Sequence, residues 1–364
     1  MARLWPAKAG PTLQKALKDE DAGVIRAAAA ALGDANDRTA IDALTALLGN
    51  QNSYIRSAAA LSLCKLGVQA AFEPGLEAMA RGGIISGDRE LAEALAGLAK
   101  AEGAEKVIAR IEGNAFAPRA AAALVAGYLK DRRATGPILA LLSETAQPAY
   151  RQTAAEALGH LGDPNAVEPL AELLTRKAGY RPSLDYRVVI AAAKALGEIG
   201  DKRAVKPLLA ALPAYASSEQ YDRMAQVAIA TALGELRDPS VLGPLLECLK
   251  GRPEIAPALA ALGDKRAVQP LLDCTTGGDN QTIVLLKAVA ALDPPAAMPG
   301  LEGLARDASF DGNRTEAIRL LAEIGDAKAV PMLKGLLREE DIKVRSAARE
   351  ALKKLQAASS SRPR

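Results

Sequence analysis

The feature of this 364-residue chain that most constrains its fold is a repeat. An Arg near a helix start precedes an Ala-rich run ending in Leu-Gly, then a polar turn, then Ala-Val-x-Pro-Leu-Leu. The clearest copies run Tyr150 to Leu174, Tyr186 to Leu209, Tyr221 to Leu246 and Arg314 to Leu337. The turn Asp recurs at Asp163, Asp201, Asp238, Asp264 and Asp326. A helix-opening Pro recurs at Pro169, Pro207, Pro244, Pro270, Pro299 and Pro331, in steps of 26 to 38 residues. A period in this range means one supersecondary element per repeat. None can bury its apolar face alone, so neighbours stack into one continuous core.

Within a unit, Ala, Leu and Ile recur at three- and four-residue spacing, with Glu, Lys and Arg between them, which describes amphipathic helices. No alternating strand pattern competes. With only 3 Phe, 1 Trp and 7 Tyr, the interior must be built from small and aliphatic side chains that let helices approach closely. Gly159, Gly197, Gly234 and Gly263, each following Leu, read as left-handed residues closing a helix. The Gly-Asp-Pro or Gly-Asp-Lys turn supplies an acidic N-cap for the next helix. Each unit is therefore a helical hairpin.

This pattern resembles the HEAT repeat, in the bacterial form called the phycobilisome-lyase-like (PBS lyase) HEAT-like repeat. The resemblance implies an all-α fold, a right-handed α-solenoid of about eleven hairpins. Second helices are expected to open near Val24, Tyr54, Asp88, Arg119, Tyr150, Tyr186, Tyr221, Pro253, Asn280, Asn313 and Ile342, and to line the concave side. The third, eighth and ninth units depart most: Gly82 to Gly87 breaks the register, Pro253 and Pro257 crowd one helix, and Asp293-Pro294-Pro295 replaces Gly-Asp. Residues 1–357 read as a single solenoid, with residues 1–20 as N-terminal cap and 340–355 as C-terminal capping helix. Residues 358–364 read as a disordered tail.

Enzyme readings fail on inventory. His160 is the only histidine, and it lies at a helix end of ordinary repeat sequence, so a catalytic triad has nothing else to draw on. Deoxyhypusine hydroxylases share the repeat type but bind a di-iron centre through His-Glu pairs, and this chain has no His-Glu. Chromophore lyases share the repeat, but nothing here goes beyond its generic form. HEAT-like DNA glycosylases use a basic, aromatic concave face, whereas Trp5 is the single Trp and lies outside any regular unit. Cys64, Cys248 and Cys274 are far apart and read as free buried thiols in a reducing compartment. No catalytic residue, cofactor or metal is expected. Met1 to Lys18 lacks the apolar run of a signal peptide, so a cytoplasmic protein is expected.

Three features bear on partners. Arg26, Arg56, Arg119, Arg151, Arg187, Arg223, Arg314 and Arg345 form a ladder at second-helix starts. They are either a positive edge or structural residues pairing with turn aspartates, as Asp21 with Arg26, Asp185 with Arg187 and Asp341 with Arg345; the structural reading is preferred. The sixth and seventh hairpins carry long loops, Thr175 to Asp185 and Pro213 to Glu219. Around these loops lie Tyr150, Lys177, Tyr180, Arg181, Tyr186, Arg187, Tyr215 and Tyr221, either a protein-binding site or solvated spacers. Between units, Arg132-Arg133, Lys202-Arg203 and Lys265-Arg266, with Arg38 and Lys328, form a basic edge that could meet phosphates or simply be solvated. A net charge of +3 keeps any polyanion site local. A monomeric scaffold with a protein partner, away from membranes, is expected, with nucleic-acid binding on the basic edges as the alternative and an accessory chromophore-lyase role as a further one.

Overall fold

The computed structural model describes residues 9–82, 88–102, 104–145, 147–175, 182–216, 219–275, 280–307 and 311–360. Among them all regular structure is helical, and the helices pair into eleven hairpins in two compact units, Met1–Ala204 and Val205–Arg364.

In the first unit the hairpins are α1 (Ala9–Ala16) with α2 (Ala22–Asp34), α3 (Ile41–Leu47) with α4 (Ser53–Lys65), α5 (Phe72–Gly82) with α6 (Asp88–Glu102), α7 (Glu105–Ile111) with α8 (Phe116–Leu129), α9 (Thr135–Glu144) with α10 (Pro148–Leu161), and α11 (Val167–Thr175) with α12 (Pro182–Ile199). In the second they are α13 (Val205–Ala211) with α14 (Gln220–Glu235), α15 (Leu242–Leu249) with α16 (Ala256–Leu262), α17 (Val268–Asp273) with α18 (Asn280–Leu292), α19 (Pro294–Arg306) with α20 (Asp311–Ile324), and α21 (Val330–Leu336) with α22 (Ile342–Ser360). Every second helix falls where the spacing places it. α22 continues to Ser360, into the stretch read as tail, because Ala357 and Ala358 extend a helix at no propensity cost.

Within each unit, successive second helices pack side by side, α2 on α4 through to α12, and α14 on α16 through to α22. The alanines make this stacking close. In α8, every residue from Arg119 to Gly127 is buried, five of them alanines.

The turns are built by the five expected aspartates and by two more, Asp37 and Asp131. Asp37, Asp131, Asp163, Asp201, Asp238, Asp264 and Asp326 each accept from the backbone N–H two residues on. Each thereby caps a one-turn 3-10 segment that leads into the next first helix. Pro169, Pro207, Pro244, Pro270 and Pro331 occupy first turns, where a missing N–H leaves no acceptor unserved. Pro299 lies deeper, because α19 opens early, on Pro294 and Pro295.

The glycines require a correction. Gly159, Gly197 and Gly234 do not close helices; they lie inside α10, α12 and α14. The left-handed residue comes three positions later, at Gly162, Gly200 and Arg237, and likewise at Gly67, Gly325, Asn36 and Lys130. Only Gly263 has the expected role. Gly159 and Gly234 mark close helix approach instead: a Cβ on Gly159 would stand 2.8 Å from the Ala195 Cα of the neighbouring helix.

Candidate interaction surface

The hairpins present two edges, one formed by the loops inside hairpins and the other by the turns between them. The arginine ladder lies at the first edge, and its partners differ from the expected aspartates. Arg56 donates to the Asn50 and Gln51 carbonyls just beyond α3, at 2.8 Å each. Arg119 donates to the Ile111 carbonyl that ends α7 and to the Glu144 carboxylate that ends α9 in the next hairpin. Arg314 reaches the Ala305 carbonyl of α19, with its guanidinium 3.2 Å from Glu339. Arg345 donates to the Glu339 and Glu340 carbonyls.

The physical reason is positional. The last carbonyls of a helix have no intrahelical donor, whereas Asp21 and Asp341 are already occupied by the N–H groups of Gly23, Val24 and Lys343. Arg56, Arg119 and Arg314 are buried, and Arg223 is paired with Glu254. Arg26 is exposed, and Arg151 and Arg187 also take part in interactions. The side chain of Asp185 lies outside the described residues.

The between-hairpin edge is also less basic than its composition suggests. Arg133 grips Asp131 through Nε and Nη2, at 2.6 Å for the latter, and holds Glu105 of the preceding hairpin at 3.0 Å. Arg203 repeats this with Asp201, Glu168 and the Pro164 carbonyl, and Arg266 with Asp264. The guanidinium beside each aspartate holds its carboxyl below the usual carboxylate range. Arg38 donates to the Leu66 carbonyl. The exposed ion pairs add little stability individually, but they neutralise much of the edge.

The loop edge is apolar by comparison. Val24, Tyr54, Tyr221, Met224, Leu337 and Ile342 are the large hydrophobic side chains that the described residues expose. Val24, Tyr54, Tyr221 and Ile342 lie in the first turns of second helices, Met224 just past the first turn of α14, and Leu337 just past the end of a first helix. Ile342 is 72% and Tyr54 56% exposed, values that decide against a core role.

Of the expected partner-binding residues, Lys177, Tyr180 and Arg181 lie outside the described residues. Tyr150 belongs to the first unit, where its ring stacks on Phe116 at 6.2 Å, with Arg119 over the same Phe116 ring. Tyr186 and Arg187 are neighbours at the start of the described part of α12, with Nε of Arg187 3.5 Å from the Tyr186 hydroxyl. Tyr215 and Tyr221 belong to the second unit. Tyr215 is half-buried, and burial, with the Asp222 charge, pushes its hydroxyl pKa up.

A further set runs along the second helices of the first unit. Tyr128, His160 and Glu198 occupy one register position, two residues before the left-handed residue or its Gly. Their side chains meet: the Tyr128 and His160 rings stack at 4.5 Å, and His160 Nδ1 lies 3.1 Å from Glu198. Asp34 and Lys65 hold the same position and pair at 2.8 Å. Aligning the repeats on the left-handed residue, or on the Gly three positions before it in most copies, brings this position together from sequence. Nearby, Arg89 of α6 reaches Glu156 of α10 over the small side chains of α8. In the second unit, Glu316 takes Lys287 and Arg319, and the Lys287 contact is 2.5 Å.

Among the described residues no group of three or more His, Cys, Asp or Glu side chains is placed to hold a metal ion. No helix is long and apolar enough to cross a membrane. Cys64, Cys248 and Cys274 are free thiols; Cys64 is buried as expected, whereas Cys248 and Cys274, at or just past the ends of first helices, are only half-buried.

A family model for HEAT repeats matches residues 10–96, 104–183 and 282–353, and one for the PBS lyase HEAT-like repeat matches 188–212, 225–251 and 254–276. No curated protein matches the chain. Among solved structures, importin beta is 14% identical, with 94% of this chain and 56% of that one covered and a TM-score of 0.48. The CpcE–CpcF complex of phycocyanin lyase from Nostoc is 20% identical, with 89% and 97% covered and a TM-score of 0.31. Human deoxyhypusine hydroxylase is 18% identical, with 72% and 99% covered and a TM-score of 0.30.

Proposed function

The chain belongs to the HEAT-repeat family, and from that premise we propose that it is a non-catalytic scaffold that binds a protein partner along its loop edge. One observation carries this reading: in each unit the exposed large apolar side chains lie at the loops inside hairpins, Val24 and Tyr54 in the first unit and Tyr221, Met224 and Ile342 in the second. Apolar and aromatic side chains held on rigid helix starts lose little entropy when a partner covers them, and such patches mark protein interfaces. Mixed charge on the second-helix faces, such as Arg89–Glu156 and Lys287–Glu316, suits a protein surface of alternating sign better than a uniform polyanion.

The turn edge supports the same reading. A phosphate backbone is held by cations that exchange counterions for it. Arg133, Arg203 and Arg266 already hold carboxylates, which a phosphate would have to displace. The test is capture from cells on immobilised protein, comparing the native chain with a Tyr54→Glu, Tyr221→Glu, Met224→Glu variant. Loss of a specific protein in the variant is expected. Equal recovery would remove the loop edge as the site.

A further inference from the structure

The longer loop of the seventh hairpin encloses something that the repeat does not require. Leu212 to Tyr215 form a 3-10 turn after α13, and a cavity of about 550 Å³ opens between this turn, α14 and α15. Leu209, Leu212, Pro213 and Pro244 give it apolar walls. Arg252, itself buried, donates to the Tyr215 and Ala216 carbonyls at 3.3 and 2.8 Å and so holds the loop over the space.

Gln226 is a buried polar group in this wall, 3% exposed. Its amide orientation is fixed: the Leu212 carbonyl can only accept, so Nε2 points there, at 3.3 Å, with the Cys248 sulfur at 3.6 Å. That leaves Oε1 buried and without a hydrogen-bond partner. A buried carbonyl oxygen left in this state costs about 1–3 kcal/mol relative to a satisfied one. Arg56, Arg119 and Arg314 hold this repeat position in other hairpins, and a guanidinium there leaves no acceptor unserved, whereas Gln226 does.

We propose that this cavity is a binding site for a small, uncharged, largely apolar molecule carrying one N–H or O–H donor, which the Gln226 Oε1 accepts. The volume lies in the range of small-molecule sites, which combine apolar walls with a few fixed polar groups. Charge is disfavoured in both directions, because the Arg252 guanidinium opposes a cation and Glu247 at the rim opposes an anion. Burial keeps the Cys248 thiol protonated, so it adds no charge of its own. A ligand that brings a donor to Oε1 recovers the cost of the bare oxygen. The site is independent of the scaffold reading, since it requires no protein partner.

Indole and benzofuran test the site, being nearly identical in shape, with an N–H in one where the other has an ether oxygen. Titrating the native protein with each by ligand-observed NMR should show saturable indole binding roughly tenfold tighter than that of benzofuran, as expected for one buried hydrogen bond made or missed. Indole should also slow iodoacetamide alkylation of Cys248, mapped by peptide mass, while leaving Cys274 unaffected. Gln226→Leu should erase the preference. Absence of saturable indole binding, affinities for the pair within a factor of two, or unprotected Cys248 would each overturn the proposal. The native-protein comparison decides the matter even if the variant does not fold.

Discussion

Gly234 and Ala258 bring two second helices of the second unit into backbone contact: a Cβ built on Gly234 would stand 2.2 Å from the Ala258 carbonyl oxygen. No rotamer relieves that overlap, because both atoms belong to backbone or to its first substituent. Gly234→Ala should therefore force α14 and α16 apart and cost about 2–3 kcal/mol or more. Gly243, inside α15 with nothing within 4 Å of its Cβ position, provides the control. Gly243→Ala should stabilise by about 0.5–1 kcal/mol through helix propensity. Urea denaturation of the two variants should move the midpoint in opposite directions.

The buried arginines make a second prediction. Arg314→Ala would strip the Ala305 carbonyl of its donor and leave Glu339 without its cation. A loss of about 2–4 kcal/mol is expected. Arg26→Ala, one residue beyond the equivalent position in the first hairpin and exposed, should change stability by no more than about 0.5 kcal/mol. Similar costs for the two would show that the ladder is not a set of fasteners.

At the alkaline end, Cys64 sets the direction. Burial pushes its thiol up to about 12 from a value of 9.0. The unfolded chain loses this proton first as pH rises, so it binds fewer protons than the folded chain between those values. Stability must therefore fall as pH climbs through that window. Cys64→Ala should flatten this limb of the profile. In the native protein at pH 8, Cys64 should resist thiol reagents while Cys248 and Cys274 react.

Asp163 acts at the acid end. The Thr135 hydroxyl donates to it at 2.5 Å and the Asn165 N–H at 3.0 Å, and these bonds hold its carboxyl below the usual range. The unfolded chain takes up this proton first as pH falls, so the stabilisation is present above about pH 4 and is lost below it. Asp163→Ala should reduce stability at neutral pH and narrow its difference from the native chain in acid, followed by denaturation at pH 7 and pH 3.

Hairpin number, the starts of second helices and the turn aspartates were all legible in the sequence, because each rests on local chemistry: period, capping and first-turn proline. The roles of Gly159 and Gly234 were not, because a close approach depends on the neighbouring repeat, and Leu-Gly looks alike inside a helix and at its end. The arginine partners escaped for a related reason. Sequence offers side-chain carboxylates as candidates, while the groups in need are carbonyls, which every residue has. Phe116 under Tyr150, the Tyr128–His160–Glu198 ladder and the Gln226 cavity depend on contacts between repeats, and of these the ladder and Gln226 itself leave a register signal.

The central claim, that a protein partner is gripped along the loop edge, is tested most directly by measuring partner affinity for three forms of the chain. These are the native protein, a Tyr54→Glu, Tyr221→Glu, Met224→Glu variant, and a turn-edge variant with Arg133→Ala, Arg203→Ala and Arg266→Ala. The account predicts at least about tenfold weaker binding for the loop-edge variant, the effect of burying an unpaired charge at an interface, and near-native affinity for the turn-edge variant. Unchanged binding by the loop-edge variant, together with retention on RNA or DNA that falls steeply with salt and is lost in the turn-edge variant, would contradict it.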